Sequence, residues 1–205
     1  MRVKTEKKRN EIIEIAGNLF RAQGYGAVSM AMIAAEVGGS KGTLYGYFAS
    51  KEELFAAFVV SAGKQRWEEF IALSDKDGQI ETRLQTLGEK YLRFLLSHEI
   101  MSVNRLVIAE AVRFPELGRI FYDNGPRSVI GIIATMLENA TNAGELDVAD
   151  PVSAAWRFKA LCDARLFEQY LWGIRNEMTD SEISENVAPA CRIFLQSFQA
   201  GKKSA

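Results

Sequence analysis

The densest set of groups able to meet another molecule lies in the run Ser40-Lys-Gly-Thr-Leu-Tyr-Gly-Tyr-Phe48, followed shortly by Lys51. It holds one ammonium, several hydroxyls and two glycines, with little bulk. Hydroxyl and amine donors suit phosphate oxygens, and glycine lets backbone come close to a groove, so the chemistry this run favours is contact with a nucleic acid duplex. Covalent chemistry finds no comparable set. There is no nucleophile elbow, no phosphate-cradling glycine loop and no zinc-ligand spacing, and Gly24-x-Gly26 lacks the strand that a dinucleotide fingerprint needs. His98 is the single histidine, which excludes a multi-histidine metal site. Cys162 and Cys191 stand in apolar helical contexts without short metal-type spacing, so both read as reduced, buried thiols. Neither a cofactor nor a metal is implied, and an enzyme is not the expected class.

Residues 40–48 must be held by other elements. Ser40 is placed to cap a short helix over 41–47, and Ser29 to cap another over 30–37 whose inward face is Met30, Ile33, Ala34 and Val37. Gly38 and Gly39 separate the two, as a helix-turn-helix requires. In the second of these helices Lys41, Gly42, Thr43, Tyr45, Gly46 and Tyr47 face outward, while Leu44 and Phe48 turn inward. Two helices this short bury little by themselves. A preceding helix from about Thr5 to Gln23, with the stripe Ile12, Ile15, Ala16, Leu19 and Phe20, supplies the remaining core and closes at Gly24. Ser50-Lys-Glu-Glu53 has the form of a capping box that starts a long fourth helix.

The whole chain fits a soluble, all-α reading. Its 205 residues are 48% apolar and 25% charged, in the ordinary globular range. Apolar residues recur at helical spacing almost throughout, with breaks that give about nine or ten helices and no competing strand pattern. Pro115, Pro126 and Pro151 stand at helix starts, where a missing N–H matters least, whereas Pro189 falls inside the run 181–199 and predicts a kink or restart. No stretch has the roughly 20 apolar residues of a membrane span, and no secretory signal pattern opens the chain, so a cytoplasmic protein without membrane contact is expected. Net charge is −1, yet residues 1–51 carry eight Lys or Arg against four Glu, and the remainder carries the compensating acidic excess. A polyanion is attracted to one end only.

Residues 20–55 carry a family pattern. The runs Phe20-Arg-Ala-Gln-Gly-Tyr25, Ser29-Met-Ala-Met-Ile-Ala-Ala-Glu-Val-Gly38, Ser40-Lys-Gly-Thr-Leu-Tyr-Gly-Tyr-Phe48 and Ser50-Lys-Glu-Glu-Leu-Phe55 closely resemble the DNA-binding region of TetR-family transcriptional regulators. The resemblance implies phosphate contacts from Ser29, Thr43, Tyr45, Tyr47 and Lys51, with Ser40 at the start of the reading helix and Lys41, Gly42 and Thr43 facing bases. Two positions depart from the family pattern: Gly39, usually aliphatic, and Gly46, often a larger polar residue. The first is expected to loosen the turn, the second to shift operator preference toward DNA shape. Farther on, Arg105-Leu-Val-Ile-Ala-Glu-Ala-Val-Arg-Phe-Pro-Glu-Leu-Gly118, Ile120-Phe-Tyr and Gly125-Pro126 resemble the C-terminal domain of the AefR-like subgroup.

The expected organisation is therefore a helix-turn-helix domain over 1–51, with its motif at 29–48, and a helical regulatory domain over 52–205. What the resemblance implies is a homodimeric repressor that a small-molecule effector releases from a palindromic DNA operator. A helix-turn-helix serving protein contacts alone remains the alternative. Aromatic and isolated polar groups suited to an effector pocket are Trp67, Phe70, Tyr91, His98, Asn104, Arg105, Phe121, Trp156 and Asp163, with core packing for most of them, and an ion pair for Arg105 or Asp163, as the alternative. Two late helices, 151–172 and 181–199, are apolar over more than one face, which places Phe158, Leu161, Leu166, Tyr170, Phe194 and Phe198 at an expected dimer interface, with a wholly internal helix pair as the alternative.

Overall fold

A computed structural model describes residues 5–71, 78–164 and 166–198, and the backbone alone over 64–71. The described residues form eleven helices: α1 (Glu6–Gln23), α2 (Met30–Glu36), α3 (Lys41–Tyr47), α4 (Lys51–Ile71), α5 (Ile80–Leu95), α6 (His98–Glu110), α7 (Pro115–Asn124), α8 (Pro126–Asn142), α9 (Pro151–Asp163), α10 (Leu166–Leu171) and α11 (Asp180–Phe198). Sequence periodicity predicts one helix across 151–172; the structure breaks it at Ala164, whose φ of −38° and ψ of 118° leave the helical region. Counted as one interrupted helix, α9 and α10 leave the expected ten. At Pro189 the sequence predicts a kink or a restart. Instead of restarting, α11 runs through it as one helix. Both Pro189 and Glu185, whose carbonyl loses its intrahelical partner, are exposed, so water can take up that carbonyl. Pro115, Pro126 and Pro151 each open a helix as expected.

The helices group into two compact units, one made of 1–64 with 102–126 and the other of 65–101 with 127–205. The first is larger than the helix-turn-helix itself, because part of α4, most of α6 and all of α7 belong to it. At its centre Phe20, Tyr25, Phe55 and Phe58 stack on one another with ring centroids 5.3 to 6.1 Å apart. Helices α1 and α4 cross closely at Gly17, where a Cβ would lie 2.5 Å from the Phe58 ring. In the second unit α5, α9 and α11 converge on Gly88, where a Cβ would stand 2.6 Å from Val187 Cγ1 and 3.2 Å from Cys162 Sγ. Helix α8 contributes Val129, Ile133 and Leu137 to the same core.

That convergence corrects the expected dimer residues. Phe158, Leu166, Tyr170 and Phe194 are all 3% exposed or less within the single chain, so their apolar faces are covered by neighbouring helices of the same unit. Leu161 and Phe198 are half-buried, and Ile193 is 50% exposed. Cys162 and Cys191 are free and buried, and burial pushes the Cys191 thiol up to about 12. Both thiols are therefore poor nucleophiles near neutrality.

Candidate DNA-reading surface

The local signals that frame the reading helices operate as the sequence predicts. Thr5 Oγ1 accepts from Lys8 N at the start of α1, Ser29 Oγ from Met32 N at the start of α2, and Ser40 Oγ from Thr43 N at the start of α3. Between α2 and α3 the chain closes on Gly38, at φ +68°, with Gly38 N donating to Ala35 O and Gly39 N to Ala34 O. This pair of bonds satisfies carbonyls that the end of a helix leaves open. Gly39 therefore does not cost the turn its hydrogen bonds. What it gives up is packing, since a Cβ there would rest 3.9 Å from Thr43. The capping box at α4 is altered: Glu53 N donates to Ser50 Oγ (3.1 Å), but the Glu53 carboxylate accepts from Ala49 N (2.6 Å).

Along α3 the side chains divide cleanly. Leu44 and the following Phe48 are buried; Lys41, Gly42 and Tyr45 are exposed; Thr43, Gly46 and Tyr47 are half-buried on the outer side. Ser40 and Thr43 hydroxyls lie 3.0 Å apart, so one donates to the other. Tyr47 Oη accepts from Thr5 N (3.1 Å), which ties the first turn of α1 to the last turn of α3 and leaves the phenolic proton available to an acceptor.

Lys51 has a task that the sequence does not reveal. Its ammonium donates to Tyr25 O and to Val28 O, each at 2.9 Å, and lies 4.0 Å from the Tyr25 ring centroid. One N–H remains of three. Burial lowers its pKa, against the pull of Glu52, Glu110 and Glu116. Tyr25 Oη in turn donates to Glu52 (3.0 Å), and burial together with that carboxylate raises the phenol well above its ordinary range. Backbone hydrogen bonding at the α4 N-terminus, helped by the Ser50 and Tyr25 hydroxyls, holds Glu52 below the usual carboxylate range. Residues 25–28, directly ahead of the α2 cap, are thus fixed by the start of α4. Tyr25 and Glu52 were not among the sequence candidates; both stood only within the runs that carry the family pattern.

The sequence-predicted effector residues fall into separate places. Tyr91, Trp156 and Asp163 come together in the second unit: Tyr91 Oη donates to Asp163 Oδ1 (2.6 Å), and Lys159, between them, donates to Asp163 Oδ2 (2.5 Å) and lies 5.7 and 5.9 Å from the Tyr91 and Trp156 rings. Lys159 is the member that sequence reasoning missed. Burial foremost, then the Asp163 charge, raises the Tyr91 pKa well above its usual value. His98 is exposed. Asn104, Arg105 and Phe121 belong to the first unit, where Asn104 is buried and the other two are half-buried. Trp67 and Phe70 have side chains outside the described residues. A cleft of about 510 Å³ opens between α9–α10 and α11, lined in part by Leu161, Leu166, Met178 and Ile193 and edged by the Arg175–Glu182 ion pair (2.5 Å). No group of three or more His, Cys, Asp or Glu able to hold a metal occurs among the described residues, and none of their helices is long and apolar enough to cross a membrane.

A capped helix pair with a polar, low-bulk outer face, set on a larger helical protein, defines a helix-turn-helix DNA-binding regulator. Family models agree over most of the chain. Residues 12–58 match bacterial regulatory proteins of the tetR family, and residues 82–200 match the AefR-like transcriptional repressor C-terminal domain. The flavonoid-responsive regulator FrrA is 31% identical, over 96% of this chain and all of that one, with a TM-score of 0.85. A TetR-family regulator from Mesorhizobium loti is 28% identical over the same shares, with a TM-score of 0.82. Among sequence relatives, the HTH-type transcriptional regulator UidR of Escherichia coli is 23% identical over 80% of each chain. The protein belongs to the TetR family of transcriptional regulators, which is not a family of enzymes.

Proposed function

We propose that the chain acts in the cytoplasm as a homodimeric repressor, bound to a palindromic operator through α3 and released by a small organic effector. The observation that carries this reading is the outer face of α3, where Lys41, Gly42 and Tyr45 are exposed over a fully packed inner side. Lys41, Gly42 and Thr43 would meet base edges. Ser29, Ser40, Tyr45, Tyr47 and the remaining N–H of Lys51 would meet phosphate, with Gly46 letting the backbone close on the groove. In this arrangement a two-fold axis sets two α3 helices about 34–36 Å apart, one turn of duplex, or a multiple of it. The partner face is proposed along the cleft between α9–α10 and α11, with Leu161, Phe198 and Ile193 in place of the four buried residues. Trp172 and Ile174, exposed just after α10, add to the apolar surface available to a second copy.

For the effector, the half-buried Trp156, Lys159 and Asp163, backed by the buried Tyr91, favour a hydroxylated aromatic compound, which can stack on the indole and exchange hydrogen bonds with the carboxylate and ammonium. The similarity to FrrA, a flavonoid-responsive regulator, supports the same class.

Substitutions on α3 test the DNA face. Lys41→Ala and Thr43→Ala are expected to weaken operator binding by about 1–3 kcal/mol and to change base preference, whereas Tyr45→Phe weakens specific and unrelated DNA alike and Lys51→Met, which also frees residues 25–28, weakens specific DNA more than unrelated DNA. Fluorescence anisotropy with both duplexes separates the two effects. If all four variants bound as the parent does, the DNA surface would lie elsewhere.

A further inference from the structure

The Gly24-x-Gly26 pair is only half explained by backbone conformation. Gly24 has φ +82°, a value that favours glycine, but Gly26 is not among the glycines with positive φ. What Gly26 provides is room. A Cβ on it would lie 3.0 Å from Phe114 Cε2 and 3.4 Å from Glu110 Oε2, and one on Gly24 would lie 2.5 Å from Glu110 Oε1. Phe114 uses that room to set its ring edge-on against Tyr25, with centroids 5.2 Å apart and planes at 71°. The Lys51 ammonium stands 5.8 Å from the Phe114 centroid and 4.0 Å from that of Tyr25. Gly26 N donates to Glu110 Oε1 over 3.4 Å. Phe114 itself is locked by its N–H to Glu110 O (2.8 Å) and by Pro115 at the start of α7.

We propose that Phe114, assisted by Glu110, is a positioning residue for DNA reading: the corner between α6 and α7 clamps residues 24–28 and thereby sets where the α2 N-terminus stands relative to α3. Two sides of the turn are then fixed by different parts of the chain. Lys51 and Glu52 hold it from α4, and Phe114 and Glu110 hold it from the end of α6. Helix α6 is continuous from His98 to Glu110, with its first four residues in the second unit and the rest in the first. Specific binding requires the α2 phosphate contacts and the α3 base contacts to be made in one register, while nonspecific binding requires only positive charge nearby. Phe114 should therefore matter to the first and not to the second.

The inference rests on α2 and α3 being the DNA-facing helices, and the test keeps the two ideas apart. A duplex is first selected by the full-length parent protein from random-sequence DNA; if the parent selects none, the DNA-reading assignment itself fails. On the selected duplex, Phe114→Ala and Glu110→Ala are expected to lose about tenfold in affinity, equivalent to roughly 1.4 kcal/mol. Binding to unrelated DNA stays within about twofold of the parent, and helical content by circular dichroism is unchanged. Phe114→Tyr, which keeps the ring, restores the parent value. Gly26→Ala is expected to lose about tenfold alone but less than about twofold when added to Phe114→Ala, because the side chain it collides with is gone. Glu110→Ala alters a half-buried side chain and decides the matter by itself if Phe114→Ala does not fold. The proposal is overturned if folded Glu110→Ala or Phe114→Ala binds the operator as the parent does, if both kinds of DNA are lost in parallel, or if the Gly26→Ala penalty persists without the Phe114 ring.

Discussion

Replacing Phe20 with alanine is expected to remove about 3–5 kcal/mol of stability from the DNA-reading unit, the range for deleting a fully buried aromatic side chain. Phe20 is 0% exposed, and its ring meets Tyr25, Phe55 and Phe58 at centroid distances of 5.4, 5.7 and 6.1 Å. The void would sit where α1, the turn before α2 and α4 meet, so it cannot be filled by one helix sliding toward another. A domain is ordinarily stable by only about 5–15 kcal/mol. The variant should therefore unfold at much lower urea concentration and bind operator weakly at 37 °C, although residue 20 faces no DNA. Phe20→Leu, which keeps most of the volume, should cost under about 2 kcal/mol. Equal urea midpoints for Phe20→Ala and the parent would show that the four rings do not form one packed centre.

The N-terminal fifty residues were the most legible part of the sequence because their signals are local. Ser29, Ser40 and Ser50 each cap the helix that follows within three residues, and Gly24 and Gly38 each adopt the positive φ that their positions required. Contacts distant in sequence left no such mark. Glu110 and Phe114 lie more than eighty residues from the turn they hold, and the one trace of them was Gly26, whose missing side chain reads locally as nothing in particular. The α9–α10 break was invisible because no glycine or proline stands near Ala164. The dimer residues failed for a related reason. Apolar residues around most of a helix show that both sides are covered, but they do not say by what, and Gly88 brings α5 close enough for the chain to cover Phe158 itself. Tyr91 and Asp163 were found as aromatic and polar exceptions, without any sign in the sequence that they touch.

That pair carries the second large effect. Asp163→Ala is expected to cost about 2–4 kcal/mol, because it leaves a buried hydroxyl without its acceptor and a largely covered ammonium without its counter-ion. Tyr91 is 1% exposed, and the Lys159 side chain 19%. The remaining access to water keeps the ammonium penalty below that of a fully enclosed charge. Tyr91→Phe alone should cost about 1 kcal/mol, and the double variant Tyr91→Phe/Asp163→Ala should be more stable than Asp163→Ala alone, since removing both partners abolishes the orphaned hydroxyl. Urea denaturation of the three variants gives the coupling directly. Strict additivity would mean that Tyr91 and Asp163 do not share a hydrogen bond in solution.

The +4 N-terminal segment and the outer face of α3 are expected to read a specific duplex. Titration of the purified protein against DNA flanking its own gene, across a range of salt and with unrelated DNA as competitor, tests it most directly. A complex of two chains per site that resists competitor, and whose affinity falls steeply as salt rises, is the predicted result. Binding that competitor removes equally at every salt concentration would reduce the α3 face to a merely basic surface and contradict the account.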